Sequence, residues 1–599
     1  MVLAGYGGRV VKVNLSTLKV QVDDISESIA KKFIGGLGLA SYYFYKYLPN
    51  YNVDPLSPDN LLIIASGPFN GGLIPMSTKA ILLFKSPQTN VLGASIVGGS
   101  FGSYMKWAGI DLIMITGRAV EPVYILINDG EVEIKSASHL WGKGSHVAEN
   151  SIKEEIGDSA SVLTIGPAGE NMVKFACVNN DYWRQAGRTG GGAVFGSKRL
   201  KAIAIRASPK ASHYYDSEKL HELVAEVHEL IRSSKPIQGY SLRGTVGAVE
   251  VANVLGYFPT RYWSKVKLED YEKVSWEAYK DYRVKRMTCI GCPVACHQYV
   301  EIRDSRYGLI KVSLEYENIF AIAGLCEISD SIAVAYLNAI IDDYGLDTIS
   351  TGNVIAFAIE AFKRGRLKLD REIDYGDVEG FTWLLEKVVR REGVGEILAE
   401  GVAKAAEKLK LNEIAVHVKG LEPPGYDPRT LKGMILSYAV SFRGACHLRM
   451  MGYHADLMGL GGGRYSASRE KVEILIDLEN RGAMYDSLPL CKFGRFIYDW
   501  DLMAKLLNAA TGFNYEVCDL KKIAERIITL TRLINVKFGV KRNDDKLPLK
   551  FFIEPVAHEG ERKLSEKEVE NMISTYYAMR GWNESGMPKK EKIAELELG

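Results

Sequence analysis

The chain has 599 residues, more than one hydrophobic core can hold, and a chain of this length usually divides into three or four domains with room to enclose a buried cofactor. Its hydrophobic fraction of 47% and charged fraction of 25% exclude a disordered or fibrous protein. The 75 lysines and arginines nearly balance the 73 aspartates and glutamates, and the resulting net charge of +2 gives no reason to expect nucleic acid or an anionic membrane as a partner.

The sequence shows no targeting or membrane-spanning segment. Residues 1–9 lack a basic region followed by an apolar run, and no later segment approaches 18 uninterrupted apolar residues. We therefore expect a cytoplasmic protein whose partner is a small molecule or another protein. The eight cysteines are too few for a disulfide scaffold in so long a chain.

The first 210 residues are predicted to be rich in β-strands. Residues 9–13 and 19–22 flank the turn sequence Asn14-Leu-Ser-Thr17 as the strands of a hairpin would. Short apolar runs predict further strands at residues 61–65, 112–115, 123–127 and 202–205. Two glycine clusters, at residues 98–102 and 187–193, can place backbone N–H groups against a phosphate, although tight turns explain such clusters equally well.

From about residue 216 the apolar periodicity becomes helical, with Ser217 as the expected N-cap of the first helix. Further amphipathic helices are predicted at residues 330–343, 354–364, 381–391, 397–409, 470–481 and 520–538. The charged stretch 586–599 is predicted to be a solvated tail. The sequence therefore predicts an α+β fold, with a β-rich N-terminal domain at residues 1–210 and two mainly α-helical domains at 211–419 and 420–599.

Three thiols stand close together in the sequence Cys289-Ile-Gly-Cys292-Pro-Val-Ala-Cys296. Thiolates are soft ligands that suit zinc and iron–sulfur clusters, so this run can hold one metal centre if a fourth ligand comes from elsewhere. A structural zinc site closed by His297 or a distant cysteine is one interpretation. A cluster is favoured because Cys491 ends a second polar segment and can supply the fourth thiolate.

Two segments echo one another, Asp342-Asp-Tyr-Gly-Leu-Asp347 and Asp486-Ser-Leu-Pro-Leu-Cys491. Each has an aspartate, two further residues, a glycine or proline, a leucine, and then an acid or a thiol. The first follows an apolar helix, so its aspartate and glycine are expected where that helix ends. Paired loops of this kind can hold two equivalent halves of one ligand, and two unrelated helix ends are the alternative.

Together these features resemble the tungsten-containing aldehyde ferredoxin oxidoreductase family. Besides the cysteine run and the two loops, the resemblance rests on Gly-Arg-Val-Val-Lys-Val-Asn-Leu-Ser-Thr at residues 8–17, Ile-Gly-Pro-Ala-Gly-Glu-Asn at 165–171 and Ala-Val-Phe-Gly-Ser-Lys at 193–198. It runs from Gly7 to about Pro588, which is nearly the whole chain.

The resemblance implies a tungsten ion held by the dithiolene sulfurs of two pterins beside a [4Fe–4S] cluster, with the β-rich domain as the base beneath the cofactor. Molybdenum is equally compatible with the sequence, because the pterin sulfurs and not side chains bind the metal; Mg²⁺ bridging the pterin phosphates is a further expectation. The cluster ligands would be Cys289, Cys292, Cys296 and Cys491. The cofactor-binding positions would be Lys79, Gly98, Arg184, Ala186, Gly187, Arg188, Asp342, Gly345, Leu346, Asp347, Arg449, Asp486 and Leu490.

Three residues depart from the family pattern. Lys79 replaces an arginine between cluster and pterin, which keeps the charge but loses the planar fork of donors. Ile96 stands where an asparagine contacts the cofactor. Pro489 replaces a loop glycine and removes an N–H donor, so we expect the second pterin to be held differently.

Glu317 and His447 match the acid/base pair next to the metal in aldehyde-oxidising members of the family. A histidine has a pKa near neutrality and a buried glutamate can be raised toward it, so either can take the proton released when water adds to an aldehyde carbonyl. Without the resemblance, His447 would be a structural histidine and Glu317 a surface carboxylate.

The predicted function is therefore oxidation of an aldehyde to the carboxylic acid with ferredoxin as the electron acceptor. The alternatives are a low-potential reductase of acids or aromatic thioesters from the same family, and a zinc-stabilised interaction protein without turnover. Some family members form dimers bridged by one metal ion that is bound by glutamate and histidine. Tyr336 and Ala339 occupy those positions here, so a homodimer of this chain is expected to lack the bridging ion.

Overall fold

The N-terminal region of the computed structural model, which describes residues 3–210 and 212–599, is built on two six-stranded sheets. The strands of the first sheet are β1 (Arg9–Asn14), β2 (Lys19–Asp24), β3 (Leu62–Ala65), β4 (Ala80–Lys85), β5 (Leu92–Val97) and β6 (Ile110–Thr116). Their order in space is β2-β1-β6-β3-β4-β5. The strands of the second sheet are β7 (Val123–Asn128), β8 (Glu131–Ser136), β9 (Ala160–Thr164), β10 (Val178–Asn180), β11 (Arg184–Ala186) and β12 (Leu200–Arg206). They are ordered β11-β10-β9-β12-β7-β8.

The two sheets share one core, and strand periodicity explains how. Successive side chains of a strand point to opposite faces. Leu62 and Ile64 therefore join a core that also contains Ile125 and Ile203 of the second sheet. Ile63, between them, faces the large core that the first sheet forms with the helices. The N-terminal region is thus a layered base whose outer sheet face supports the rest of the molecule.

Six helices belong to this region: α1 (Glu27–Phe33), α2 (Gly36–Tyr47), α3 (Phe101–Trp107), α4 (Ser145–Ile156), α5 (Pro167–Glu170) and α6 (Gly191–Ser197). The next ten are α7 (Ser217–Ser233), α8 (Lys235–Arg243), α9 (Ala248–Val254), α10 (Trp276–Tyr279), α11 (Tyr316–Ile319), α12 (Ser331–Tyr344), α13 (Thr348–Lys363), α14 (Val378–Arg390), α15 (Val394–Leu398) and α16 (Val402–Leu409). The last eight are α17 (Gly433–Ala439), α18 (Gly452–Leu457), α19 (Arg469–Ser487), α20 (Trp500–Thr511), α21 (Val517–Lys537), α22 (Lys550–Ile553), α23 (Glu566–Met579) and α24 (Lys590–Glu595). None of the helices in the described residues is long and apolar enough to cross a membrane.

Two small sheets interrupt the helical part. The first consists of β13 (Arg283–Met287), β14 (His297–Asp304) and β15 (Gly308–Leu314), paired in that order. The second joins β16 (Val556–Ala557) to β17 (Glu561–Arg562). The predicted sheet-rich region followed by helical regions is confirmed, whereas the boundaries near residues 210 and 420 stay predictions.

The predicted N-terminal hairpin is confirmed, since β1 and β2 pair antiparallel with Val11 opposite Val22. The prediction that Ser217 caps α7 is wrong by one residue. Asp216 is the N-cap, and its side chain accepts a hydrogen bond from the backbone N–H of Lys219. Both residue types cap well, and local sequence does not distinguish neighbours of this kind.

Two further predictions require correction. The helix predicted at residues 397–409 is two helices, α15 and α16, separated at Gly401, whose φ is 85°. Residues 586–599 are not a solvated tail, because they contain α24 and because Leu596 is fully buried. The backbone oxygen of Leu596 also accepts a hydrogen bond from the Arg526 guanidinium, 2.8 Å away.

A packing constraint explains one glycine of the segment 193–198. A Cβ on Gly196 of α6 would lie 1.9 Å from the backbone oxygen of Gly169 at the end of α5. Since backbone cannot rotate away as a side chain can, we expect Gly196→Ala to destabilise the fold by about 1–3 kcal/mol, measured as a lower midpoint of thermal unfolding. Gly239→Ala in α8 is the matched control, because a Cβ there meets nothing within 4 Å. An equal effect of the two changes would contradict this account.

Candidate functional site

The four cysteines predicted as cluster ligands line one cavity of about 220 Å³, here called the cysteine cavity. It lies between the N-terminal base and the helical regions, and its wall also includes Lys79, Arg184 and Leu490. Among the described residues, no group of three or more histidine, cysteine, aspartate or glutamate side chains is gathered tightly enough to hold a single metal ion. The thiols therefore surround a space and do not converge on a point.

Local backbone contacts bring the thiols together from distant parts of the chain. The first three cysteines lie in the turn between β13 and β14, where the N–H of Cys292 donates to the backbone oxygen of Cys289 over 3.1 Å. The loop that carries Cys491 pairs with the segment leading into β4. The N–H of Cys491 donates to Met76 O over 2.8 Å, and the N–H of Lys79 donates to Pro489 O over 3.2 Å. This pairing places Lys79 beside the fourth thiol.

Cationic side chains and backbone N–H groups stabilise negative charge in the cysteine cavity. Burial opposes ionisation of Cys289, but the Arg184 guanidinium and the Lys79 ammonium outweigh it and lower the pKa of this thiol. The N–H of Gly99 donates to its sulfur over 3.2 Å. Burial also lowers the pKa of Lys79, yet the thiolates of Cys491 and Cys289 prevail and leave it raised. At the other two thiols of the turn burial prevails: it raises the pKa of Cys292 to about 12 and also raises the pKa of Cys296. The fixed cations thus favour negative charge at Cys289 in particular.

Gly98 does not line the cysteine cavity but lies next to two residues of its wall. A Cβ at this position would lie 2.8 Å from the Lys79 ammonium nitrogen and 3.5 Å from the Cys289 sulfur. Glycine therefore leaves the two groups room to approach.

A second cavity, of about 290 Å³, contains both predicted catalytic residues, Glu317 and His447, and is here called the histidine cavity. Of the predicted cofactor-binding residues, its wall includes Gly187, Arg188, Leu346 and Asp347. Ile96, Glu315 and Leu448 line both cavities, so the two spaces are adjacent.

Glu317 lines the histidine cavity from α11, and this short helix continues directly into five residues of π-helix at 320–324. Such π-helical turns are rare and often occur at functional sites. The N–H of Gly425 donates to Glu317 Oε2 over 3.0 Å, and Nε2 of His447 lies 3.6 Å from Glu317 Oε1. The His447 ring is stacked against Tyr426 at a centroid distance of 5.6 Å.

Burial shifts the pKa values of this pair in opposite directions. It raises the pKa of Glu317 to about 8 and lowers the pKa of His447 well below its usual range, where Arg188 and Arg443 lower it further. Near neutral pH the pair therefore consists of a protonated carboxyl and an uncharged imidazole. Such a pair can donate one proton and accept another without bringing net charge into the cavity.

The first predicted loop reaches the histidine cavity through its last two residues. As expected, Gly345 terminates α12 in the left-handed conformation, with φ of 73°. Asp347 Oδ2 lies 3.1 Å from Nε of Arg188. Asp342 lines neither cavity; its carboxylate accepts from Asn338 over 2.9 Å, and its backbone oxygen accepts from a side-chain amide of the N-terminal base. Asp342 and Gly345 thus shape the loop, and Asp347 faces the cavity.

The second loop is held by buried ion pairs. Asp486 pairs with Arg449 and, over 2.7 Å, with the ammonium of Lys492. Asp486 and Arg449 line neither cavity, whereas Lys492 lines the cysteine cavity. Ala186 is fully buried in β11 and likewise lines neither cavity.

Sequence patterns did not identify several residues of the site, among them Lys492, Glu315 and Arg443. Lys492 follows Cys491 directly, and Glu315 lies two residues before Glu317. Both could have been predicted from their closeness in sequence to a residue already assigned to the site. Arg443 lines the histidine cavity, donates to the sulfur of Cys446 over 3.0 Å and reaches Ala94 O of β5 over 2.7 Å. Its role depends on contacts across the fold, for which the sequence carries no pattern.

Unpartnered donors test whether these residues suit the implied cofactor. Several buried side-chain N–H groups have no acceptor among the described residues, and some of these, such as Nε of Arg580, lie outside the two cavities. At or beside the predicted cofactor-binding positions they include Nη2 of Arg184, Nε2 of Gln185, Nη1 of Arg188 and Nε of Arg449. A buried donor without a partner costs about 1–3 kcal/mol, so such groups indicate a missing acceptor. Two pterins with phosphate groups are rich in acceptors and negative charge, and the residues present fit them.

Comparisons with known proteins identify the family to which this fold belongs. The family models for the N-terminal domain and for domains 2 and 3 of aldehyde ferredoxin oxidoreductase match residues 10–207 and 222–598. The chain is 38% identical, over 99% of each chain, to the tungsten-containing aldehyde ferredoxin oxidoreductase of Pyrococcus furiosus. It is also 38% identical, over 99% of each chain, to the protein of that name from Thermococcus kodakarensis.

Among solved structures, the chain is similar to the active-site complex BamBC of benzoyl coenzyme A reductase bound to 1,5-dienoyl-CoA. The TM-score is 0.86 at 25% sequence identity, covering 100% of this chain and 98% of that one. The fold and the full-length matches define an oxidoreductase. The chain belongs to the aldehyde ferredoxin oxidoreductase family.

Proposed function

We propose that the protein oxidises an aldehyde to the carboxylic acid and passes the electrons one at a time to a ferredoxin. One aldehyde and one water give one carboxylate, three protons and two electrons, so two single-electron acceptors are reduced in each turnover. The observation that carries the proposal is the Glu317–His447 pair facing a cavity directly beside the cysteine cavity. The names of the relatives with 38% identity, which are tungsten-containing and ferredoxin-linked, support the same reaction.

The four cysteines of the cysteine cavity would hold a [4Fe–4S] cluster, and Lys79 and Arg184 would stand between it and the pterins. Arg188 and Asp347 would contact one pterin, while Leu490 and the Asp486 ion pairs would position the loop at the other. When bound, the tungsten–pterin would supply the two-electron oxidation, and the cluster would supply the exit for single electrons.

The protein's own residues would manage protons and orientation. The protonated carboxyl of Glu317 can donate a hydrogen bond to the aldehyde carbonyl oxygen, and Nε2 of His447 can accept a proton from the attacking water. Burial of both groups excludes bulk water, which strengthens these interactions. The stack of Tyr426 on His447 fixes the plane of the imidazole.

A low-potential reductase of acids or aromatic thioesters is the second candidate. The similarity in fold to the benzoyl coenzyme A reductase complex favours it. The paired Glu317 and His447 favour oxidation, because an acid and a base side by side match the protons released when water adds to a carbonyl.

The test is anaerobic purification followed by metal analysis and a screen of aliphatic, aromatic and phosphorylated aldehydes with a viologen dye. We expect iron, tungsten and dye reduction with at least one aldehyde class. Colourless protein that contains zinc and neither iron nor tungsten would overturn the proposal in favour of a zinc-stabilised protein. Metal-loaded protein that reduces acids or thioesters and ignores every aldehyde would favour the reductase.

The metal content is itself a prediction. Tyr336 stacks on Tyr307 at a centroid distance of 4.3 Å, and Ala339 provides no ligand, so this face of α12 offers no glutamate–histidine pair for a bridging ion. We expect about four irons per tungsten, the content of one cubane cluster. A reproducible extra half-equivalent of iron or zinc per chain, lost when residues around Tyr336 are changed, would contradict this.

A further inference from the structure

We propose that the exposed edge strand β13 is the docking surface for an acidic, single-electron-carrying protein of the ferredoxin type. The inference rests on the proposed function, since it assigns the place where electrons leave the cysteine cavity. It concerns Arg283, Lys285 and Arg286, none of which belongs to either cavity.

The strand is basic, and its cations have no acidic ion-pair partner among the described residues, although Arg283 lies over the ring of Trp276 and Lys285 over that of Tyr299. Residues 281–286 are all exposed. Among the ion pairs of the described residues, none involves Arg283, Lys285 or Arg286; the neighbouring Lys280 pairs with Glu277 over 2.7 Å. Asp281 is the only acid from residue 281 to residue 287, so the segment has an excess of positive charge. Unpaired surface cations of this kind attract an acidic protein and orient its approach.

Two of the basic side chains are held in place. The Arg283 guanidinium donates to the backbone oxygen of Leu242 over 2.9 Å, and Arg286 donates to Ser241 Oγ over 3.1 Å. These contacts bring the end of α8 alongside β13. They also place exposed apolar groups among the cations, because Leu242 and Val284 are each 57% exposed. An apolar centre with a polar rim is the usual composition of a protein interface.

The strand leads directly into the cysteine turn. Arg286 precedes Cys289 by three residues, a span of at most roughly 10 Å along the chain. Thr288, Gly291 and Pro293 are exposed, and Cys292 is partly exposed, so the turn reaches the protein surface beside the basic strand. A partner seated on β13 would therefore lie next to the wall of the cysteine cavity.

The edge of the sheet adds a second recognition element. β13 pairs with β14 on one side only, and its other edge has no strand partner among the described residues. An edge without a strand partner is where an extended segment of another protein can pair. Charge and backbone thus point outward on the same element.

The test compares two acceptors with the metal-loaded enzyme and the aldehyde found in the screen. The variant is Lys285→Glu with Arg286→Glu, and the acceptors are purified [4Fe–4S] ferredoxin and benzyl viologen. At low ionic strength we expect kcat/KM for ferredoxin to fall about tenfold or more, with the viologen rate unchanged. Added salt should slow the wild type with ferredoxin and leave the variant almost unaffected.

The matched control is Lys408→Glu with Lys410→Glu, which makes the same change in charge at the exposed end of α16. This helix contacts α13 and α15, away from β13. Unchanged ferredoxin kinetics in the β13 variant, or an equal loss in the control, would overturn the docking surface. An inactive wild type with viologen would instead show that the proposed function has failed. If the charge reversal lowers the iron content, the ferredoxin kinetics are measured instead on the milder variant Lys285→Gln with Arg286→Gln. The affinity of the wild type for ferredoxin is then measured at low and high salt. Binding that is independent of salt would overturn the proposal.

Discussion

Replacing Cys491 by serine is expected to remove the proposed [4Fe–4S] cluster as completely as replacing Cys292. The two thiols come from segments about 200 residues apart, yet they face the same cavity. A cubane cluster with three thiolates leaves one iron open and labile, so the loss of any ligand should lead to loss of iron. The measurement is iron per chain and the low-temperature EPR signal of the reduced protein, with less than half of the wild-type iron expected.

Cys518→Ser is the control for this prediction. Cys518 is exposed on α21 and lines neither cavity, so its replacement should leave iron and EPR signal intact. Wild-type iron and an unchanged EPR signal in the Cys491 variant would remove the basis for the cluster assignment. Equal loss of iron in the Cys491 and Cys518 variants would indicate a general effect of removing a thiol.

The second large effect is expected at the acid/base pair. Glu317→Gln and His447→Ala should each lower kcat by about 100-fold or more, the usual consequence of losing a positioned proton donor or acceptor, while tungsten and iron content stay at the wild-type level. His221→Ala on α7 is the control, because that histidine is exposed and remote from both cavities. Turnover that persists with both changes in place would favour the reductase.

Glu317→Gln should also change stability with pH, and in a direction that mere damage would not produce. Since burial raises the pKa of Glu317 to about 8, the folded state favours the neutral carboxyl. Its contribution is complete in acid and is lost as the pH rises from the unfolded value toward 8. Glutamine never ionises, so we expect the variant to match the wild type near pH 4 and to exceed it by on the order of 1–4 kcal/mol near pH 9. Thermal unfolding at the two pH values measures this difference.

Local patterns predicted the elements that depend on local interactions. The β1–β2 hairpin follows from alternating side chains around a turn. The end of α12 at Gly345 was predicted correctly because a helix often ends in the left-handed conformation, which glycine adopts most easily. The prediction of a solvated tail at residues 586–599 was wrong because the structure of this stretch depends on contacts with distant parts of the chain. Leu596 is buried and held by Arg526 of α21, a contact that nothing in the sequence near residue 596 announces.

The residues of the candidate site likewise fall into those that a sequence motif predicts and those that only the folded structure brings together. The cysteine run and the two aspartate loops have fixed spacing and were found in the sequence. Arg443 was not found, because its neighbours Cys446 and Ala94 become neighbours only in the folded chain. The raised pKa of Glu317 could be anticipated as a possibility for a buried carboxyl, but its burial in the histidine cavity required the structure.

The position of Cys491 has a consequence for biosynthesis. If the four cysteines hold a cluster, as proposed above, the ribosome must add about 200 residues after Cys296 before the fourth ligand exists. At roughly 5–20 residues per second, this interval lasts on the order of 10–40 s. The backbone hydrogen bond from Cys491 to Met76 also requires the segment before β4 to be in its folded position. Cluster insertion is therefore expected only after the chain has been made as far as Cys491 and this residue has packed against the N-terminal base, so that the partly made protein has three of the four thiols and no complete site.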